Sequence, residues 1–322
     1  MALTDLLRYF TVPVQQALLA LPTQLYCAVE EIRLRQDRPL MVNLSGGEGF
    51  VTPTGQLVKV PSEGYSVTSE DLLKTLHLLT NSSLYALEEE LRRGFITIPG
   101  GHRVGIVGKA VVEHGAIRTI KQVNALNFRI ARQMINVSEK LLPYVYNYKT
   151  QNLFHTLIIS PPCCGKTTLL RDLIRQVSYG QPQYKVAGLG VGLVDERSEV
   201  AGCYQGKPQL DVGPRTDVLD GCPKAEGMML LIRSMNPKVI AVDEIGSKED
   251  IVALEEALNA GIKIVATVHG ASVEEIIRRP NFRYIIQNKI FERIIVLERR
   301  SSPGIVKTVL DGGTLQPLTT NL

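Results

Sequence analysis

The stretch LFHTLIISPPCCGKTTLLRDLIRQVS (residues 153–178) decides the predicted fold of the C-terminal part of this chain. An apolar, β-rich run ends at Ser160, a short Pro/Cys/Gly segment follows, and a helical pattern begins at Lys166. A strand, a tight loop and a helix in this order are typical of a Walker A loop, whose backbone N–H groups bind phosphate oxygens. The residues predicted to form this loop are Ser160, Pro161, Pro162, Cys163, Cys164, Gly165, Lys166, Thr167 and Thr168.

Two side chains of this loop have predicted roles of their own. The ammonium group of Lys166 would neutralise the β- and γ-phosphates of a nucleotide, and the hydroxyl of Thr167 would ligate Mg²⁺. We therefore predict ATP and Mg²⁺ as cofactors. The G-x-x-x-x-G-K-[ST] pattern has glycine where this chain has Ser160, which weakens the match without removing it.

A second motif is VIAVDE (residues 239–244), an apolar strand that ends in two carboxylates. Asp243 would hold the hydration shell of Mg²⁺, and Glu244 would polarise a water for attack on the γ-phosphate. The adjacent glutamate favours a hydrolase over a kinase. The alternative interpretation is a strand that runs into an acidic helix cap.

Two further apolar strands end in polar residues. VGLVD (residues 191–195) is followed by Glu196 and Glu199, to which we assign catalytic roles at the carboxyl edge of a sheet. In IVATVHG (residues 264–270), Thr267 or His269 would hydrogen-bond the γ-phosphate. For His269 the alternative is a histidine with a purely structural hydrogen bond at a strand end.

These strands alternate with helical patterns at residues 225–235, 248–259 and 273–278, which predicts an α/β fold with a parallel twisted sheet. The N-terminal part reads instead as a smaller α+β domain. Its predicted elements are an amphipathic helix over 1–22 that Pro13 bends or splits, a strand meander over 30–62, helices starting at 69 and over 84–91, and strands from 95 onward. Residues 144–151 are interpreted as a linker, so the predicted domains are 1–148 and 149–322.

The composition of the 322 residues, 44% of them hydrophobic, is that of a globular protein. No run approaches the ~18 uncharged apolar residues of a membrane-spanning helix, and no signal peptide is evident, so we expect a cytoplasmic protein. Five cysteines without C-x2-C spacing predict neither disulfides nor structural zinc. Residues 91–150 contain 10 Lys/Arg against 2 Asp/Glu, which indicates a solvated face or a surface for phosphates or an acidic partner.

Several segments together resemble the secretion-type ATPases of the RecA-like superfamily, and the match covers most of the chain. VGLVDERSEVAG (191–202) is similar to their acidic box, LIRSMNPKVIAVDEIG (231–246) to their Walker B segment, and ATVHG (266–270) to their histidine box. EEIRLRQDRPLMV (30–42) is similar to the start of their small N-terminal domain. The loop sequence with V-D-E-R-S-E and V-D-E-I-G resembles more narrowly a sporulation subgroup of that family.

The resemblance implies a RecA-like P-loop NTPase domain preceded by a smaller α+β domain. It also implies a homohexameric ring that hydrolyses ATP on the mother-cell face of the mother cell-to-forespore channel. Membrane proteins of that channel would be its partners, and its membrane association would be peripheral, through those partners. No nucleic-acid partner is expected.

In this family, arginine side chains of the N-terminal domain typically reach a nucleotide, which would explain the excess of basic residues in the segment 91–150. The candidates are Arg103, Arg118, Arg129 and Arg132, and we select Arg103 and Arg129 for the catalytic set. Two other functions stay open at this point. One is a P-loop ATPase that acts on nucleic acid, and the other is a scaffold that ATP holds together without hydrolysis.

Overall fold

The structure is a computed structural model that describes residues 2–80, 91, 92, 94–299 and 303–322. The chain divides into two compact units, Met1–Arg132 and Gln133–Leu322. The division precedes the predicted boundary at residue 148, because Asn136 and Ser138 donate backbone hydrogen bonds to Asp172 of the second unit. The helix predicted over 84–91 falls almost entirely outside the described residues.

The first unit is built from a largely antiparallel set of strands with helices at its N-terminus and after β6. The strands are β1 (Val29–Arg35), β2 (Arg38–Pro39), β3 (Met41–Leu44), β4 (Gly47–Val51), β5 (Leu57–Val58), β6 (Ser66–Val67), β7 (Phe95–Ile98), β8 (His102–Glu113) and β9 (Ala116–Arg129). The helices are Ala2–Leu6, Val12–Leu19, Thr23–Tyr26 and Ser69–Leu79, with 3₁₀ turns at Leu7–Tyr9 and Pro61–Glu63.

Seven of these strands form one sheet in the order β5-β4-β3-β1-β9-β8-β7, and every neighbouring pair in it is antiparallel. One face of the sheet carries the apolar core, in which the rings of Phe10 and Phe128 lie 4.5 Å apart. The predicted N-terminal helix is split as expected, since Pro13 lies in the first turn of the helix Val12–Leu19. The meander prediction is also confirmed.

The second unit contains six helices and ten strands among its described residues. The strands are β10 (Tyr146–Asn147), β11 (Asn152–Leu153), β12 (Thr156–Ser160), β13 (Val191–Asp195), β14 (Thr216–Asp220), β15 (Val239–Val242), β16 (Lys263–His269), β17 (Arg293–Leu297), β18 (Val306–Asp311) and β19 (Pro317–Thr320). The helices are Leu142–Val145, Lys166–Tyr179, Lys224–Met235, Lys248–Asn259, Val273–Ile277 and Pro280–Gln287, with 3₁₀ turns at Glu139–Leu141 and Pro182–Tyr184.

An eight-stranded sheet in the order β14-β13-β15-β16-β12-β17-β18-β19 organises this unit. The first six strands run parallel, and β18 and β19 add to one edge in antiparallel register. All residues of β12, β13 and β15 are buried, because helices cover both faces of the parallel strands. The carboxyl ends of β12, β13, β15 and β16 therefore lie side by side.

The prediction of a linker over residues 144–151 is wrong. Tyr146 is 1% exposed and lies in the core of the second unit, and β10 pairs with β11 in this segment. The polar residues that suggested a linker form the turn between these two strands, where Asn147 accepts backbone hydrogen bonds from Lys149 and Thr150. In the described part of the chain, no helix combines the length and the apolar character needed to span a bilayer.

Candidate nucleotide-binding site

The predicted phosphate loop connects β12 to the helix Lys166–Tyr179. Gly165 precedes that helix with φ +85°, and a Cβ built there would lie 2.5 Å from the backbone nitrogen of Gly304. Cys163 also has a positive φ, of 60°. The backbone thus turns sharply just before the helix N-terminus, as a phosphate-binding loop requires.

The other predicted loop residues differ in how far they reach solvent. Ser160 is buried at the end of β12, and its hydroxyl donates to the carbonyl of Pro161 at 2.8 Å. Pro162 and Cys163 are exposed, whereas Cys164 is buried and its carbonyl accepts a hydrogen bond from Gly304. Ser160 is therefore a strand-end residue that fixes the start of the loop, and the exposed part of the loop is Pro162–Cys163.

Lysine, threonine and two carboxylates converge beside the loop. The hydroxyl of Thr167 donates to Oδ2 of Asp243 at 2.7 Å. The Nζ of Lys166 lies 3.5 Å from Asp243 and 4.0 Å from Oε2 of Glu244. The structure thus brings together the four residues that the two strongest motifs singled out.

Thr267 positions the two carboxylates from the neighbouring strand β16. Its hydroxyl donates to Asp243 and accepts a hydrogen bond from the backbone nitrogen of Glu244 at 2.8 Å. Glu244 has φ +62°, a left-handed conformation that costs a non-glycine residue free energy. In this structure the Thr267 hydroxyl is committed to Asp243 and Glu244, a contact that sequence reasoning did not foresee.

Two cationic or potentially cationic groups hold the side chain of Glu244. His269 Nε2 lies 2.5 Å from Oε1, and an Arg197 guanidinium nitrogen lies 3.0 Å from Oε2. The other ring nitrogen of His269, Nδ1, is buried without a hydrogen-bond partner in the described structure. Sequence reasoning missed Arg197, although it lies within the D-E-R-S-E segment between the two glutamates that were selected.

The segment after β13 is folded around the buried carboxylate of Asp195. This carboxylate accepts backbone hydrogen bonds from Glu199, Val200 and Ala201 at 2.8–3.0 Å. Burial raises the pKa of Asp195 to about 6, against the opposing effect of these three bonds. Asp195 thus fixes the backbone on which the acidic side chains are displayed.

Glu196 and Glu199 line a small cleft together with Asp243 and Glu244, as predicted for the carboxyl edge of the sheet. Glu196 forms an ion pair with Lys224, the first residue of the helix Lys224–Met235. The backbone carbonyl of Glu199 accepts a hydrogen bond from the buried Arg171 at 2.7 Å. Their position in the cleft is described by the structure, whereas their catalytic roles stay predictions.

The candidate arginines lie on the first unit, each with contacts of its own. Arg103 stacks on the ring of Phe95 at 3.8 Å, and Arg129 lies 3.5 Å from a carboxylate oxygen of Glu31. Other candidates also have partners: Arg118 pairs with Glu113, and Arg132 donates to the carbonyl of Val29. Arg103 and Arg129 occupy directly opposed positions of β8 and β9 and so belong to one face of the sheet.

The chemistry of the convergent groups fits Mg²⁺ and a nucleoside triphosphate. A threonine hydroxyl and an aspartate carboxylate are oxygen ligands of the kind that Mg²⁺ prefers. A lysine beside a helix N-terminus provides positive charge for phosphate oxygens. Thr167 and Asp243 would hold the metal ion, and the loop 161–166 would hold the phosphates.

The raised pKa of Asp195 predicts a pH effect on stability. The Asp195 carboxyl has a pKa of about 6 in the folded chain and roughly 4 in the unfolded chain. Its contribution to the free energy of unfolding therefore decreases as the pH rises from about 4 to about 6. Two pKa units correspond to about 3 kcal/mol. We expect the free energy of unfolding of Asp195→Asn to lack this decrease between pH 4 and pH 6.5, measured by urea titration beside the wild type. Parallel pH profiles of the two proteins would contradict the assignment.

The described fold is that of the RecA-like secretion ATPases. The Legionella pneumophila ATPase DotB matches with a TM-score of 0.51 and 16% identity over 83% of this chain and 72% of that chain. The pilus retraction motor PilT, solved with bound ADP, matches with a TM-score of 0.54 and 16% identity over 85% and 74%. The predicted class, a RecA-like α/β domain preceded by a smaller α+β domain, is thereby confirmed.

The chain belongs to the family described as sporulation stage III, protein AA, whose pattern matches residues 6–315. Stage III sporulation protein AA of Bacillus subtilis (strain 168) is 43% identical over 297 residues, which are 92% of this chain and 91% of that protein. A shorter match links 40% of the chain to 18% of the protein SEEDLING PLASTID DEVELOPMENT 1 of Arabidopsis thaliana, at 29% identity.

Proposed function

We propose that this chain binds Mg·ATP at the loop 160–168 and hydrolyses it, as the ATPase of a sporulation channel. The observation that carries the proposal is the convergence of Lys166, Thr167, Asp243 and Glu244 within 4.0 Å at the carboxyl edge of one parallel sheet. Membership of a sporulation family and a fold in common with secretion ATPases support it.

Each residue has a distinct part in the proposed reaction. Lys166 offsets the negative charge of the β- and γ-phosphates, while Thr167 and Asp243 hold the metal ion, which neutralises charge as the phosphoryl group transfers. Glu244 orients the attacking water and accepts its proton. His269 and Arg197 contact both oxygens of the Glu244 carboxylate and so hold this base in place.

We further propose a homo-oligomer, a hexameric ring, that works in the cytoplasm on the mother-cell side of the membrane. Membrane proteins of the mother cell-to-forespore channel would be its partners, and its membrane association would be peripheral. The support is the family and the similarity of the fold to a pilus retraction motor. ATP turnover by the ring would then energise or assemble the channel.

An arginine of the first unit is proposed to complete the site, within one chain or across a subunit boundary. Arg103 and Arg129 are the first choice because they share one sheet face. An arginine finger contributes on the order of 10³-fold or more to turnover, so Arg103→Ala or Arg129→Ala should lower kcat strongly with the oligomer intact. Alanine at Arg118 and Arg132 tests the two remaining candidates. Unchanged kcat and unchanged assembly in all four alanine variants would contradict the proposal that one of these arginines completes the site.

The test of the function itself is steady-state ATP hydrolysis by the purified chain, with the mass in solution recorded with and without ATP. We expect Mg²⁺-dependent turnover and an ATP-promoted increase in mass. If tight ATP binding is found without any turnover, alone or with membranes that contain the channel proteins, the chain is a nucleotide-dependent scaffold instead.

A further inference from the structure

The hairpin of β8 and β9 extends beyond the sheet that contains it. Strand β1 pairs with β9 only over Ala125–Arg129, and β7 pairs with β8 only over His102–Gly105. From Lys109 to Lys121 the two strands pair only with each other within the described ranges. We call residues 108–123 the ribbon arm. Ile120 and Val123 of the arm pack against the core of the first unit, but a two-stranded ribbon buries little surface, so the far end of the arm would gain stability from a partner.

A glycine bulge sets the direction of the ribbon arm. The register between β8 and β9 shifts at Gly108, and Gln122 opposite has φ +46°. A Cβ built on Gly108 would lie 2.6 Å from the carbonyl oxygen of Lys121, so only glycine fits. Bulges bend and twist a strand pair at a defined place, and this one lies where the arm leaves the sheet.

The exposed surface of the arm is basic with an apolar tip. Lys109 and Lys121 are directly opposite each other and exposed, and neither has an ion-pair partner in the described structure. Like charges directly opposite on neighbouring strands are destabilising. Val112 and Ile117, also opposite each other, are 57% and 47% exposed. This surface fits a partner that presents carboxylates around an apolar groove.

The second unit carries such a groove, between the helices Lys224–Met235 and Lys248–Asn259. It encloses about 1000 Å³, and its apolar lining includes Leu230 and Val252, which are 50% and 58% exposed. The exposed carboxylates of Glu226, Glu249 and Glu256 line it too, against the single cation of Arg233. The groove therefore has the complementary charge and an apolar surface that nothing in the described unit covers.

We propose that the ribbon arm of one copy docks in this groove of a second copy. The proposal rests on the homo-oligomer of the proposed function and names the surfaces that would build it. Both surfaces belong to the same chain, their charges are opposite in sign, and each has exposed apolar side chains that the contact would bury. Because the arm and the groove are different surfaces, the contact is head-to-tail, which repeats from copy to copy and can close a ring.

A charge-swap experiment tests this contact. The arm variant Lys109→Glu/Lys121→Glu and the groove variant Glu249→Lys/Glu256→Lys each bring like charges together when alone. Mixed in equal amounts, the two variants can alternate around a ring. Each glutamate-bearing arm then faces a lysine-bearing groove, and each lysine-bearing arm faces a glutamate-bearing groove. In sedimentation velocity with ATP, we expect each variant alone to assemble at least about tenfold more weakly than the wild type, and the mixture to recover.

Lys149→Glu/Lys207→Glu, which changes two exposed lysines of the second unit, is the matched control and should assemble like the wild type. Recovery on mixing also shows that both variants are folded. Normal assembly of either variant alone, or no recovery in the mixture, overturns the contact but leaves the proposed function standing. A wild type that stays monomeric with ATP overturns the proposed ring itself, and ATP hydrolysis in the same samples reports separately on the site.

Discussion

The variant Glu244→Gln is expected to bind ATP as the wild type does and to lose ATP turnover by at least about 100-fold. The amide keeps the size of the side chain but cannot accept the proton of the attacking water, and general base catalysis contributes roughly 10²–10⁴-fold. Its contacts with His269 and Arg197 also weaken, since both depend on a carboxylate. Steady-state hydrolysis at saturating Mg·ATP measures the loss.

Binding has to be measured on the same samples. A ligand that binds only the folded state raises stability by about 2.7 kcal/mol at 100 times its dissociation constant, so ATP should raise the melting temperature of both proteins equally. Glu274→Gln, which changes an exposed glutamate on the helix Val273–Ile277, should hydrolyse ATP at the wild-type rate. Turnover that survives in Glu244→Gln would assign the base to another residue.

The same variant decides between a motor and a scaffold. If ATP only holds the oligomer together, Glu244→Gln should support sporulation as well as the wild type does, because binding and assembly remain. If hydrolysis drives the channel, the variant should assemble and yet fail to complement a strain that lacks the wild-type gene. Complementation scored as spore yield separates these two functions.

Sequence patterns predicted the parallel strands β12, β13, β15 and β16, because each is a short run rich in apolar residues. The strand β14 was missed. It lies at the edge of the sheet, and its sequence TDVLD combines two carboxylates with only partial burial, so it lacks the apolar run of its neighbours. The helix Pro280–Gln287 was missed as well, since it follows the helix Val273–Ile277 after only two residues.

For the site, the sequence predicted which residues converge but not how they contact each other. Lys166, Thr167, Asp243 and Glu244 belong to motifs, and the topology of a parallel sheet brings them to one edge. The contacts of Arg197 with Glu244 and of Lys224 with Glu196 depend on side-chain directions after a strand end. Such directions follow from the turn conformation around Asp195, which the residue pattern does not reveal.

The second large effect is expected for Lys166→Ala, which should weaken ATP binding on the order of 10- to 100-fold and abolish measurable turnover. The Nζ of Lys166 lies 3.5 Å from Asp243, and hydrogen bonds to charged groups contribute roughly 1.5–3 kcal/mol each. Equilibrium titration with a fluorescent ATP analogue measures the affinity, and hydrolysis assays measure the turnover.

Two further variants show whether the charge or the geometry of the Lys166 side chain is responsible for ATP affinity and turnover. Lys207→Ala removes an exposed lysine of the same unit and should leave both affinity and turnover unchanged. Lys166→Arg keeps the positive charge, but its planar guanidinium cannot occupy the compact position of an ammonium between Asp243 and Glu244. We therefore expect Lys166→Arg to bind ATP better than Lys166→Ala while its turnover stays low. Wild-type affinity in Lys166→Ala would place the phosphates elsewhere, and the role of the loop 160–168 would then have to be abandoned.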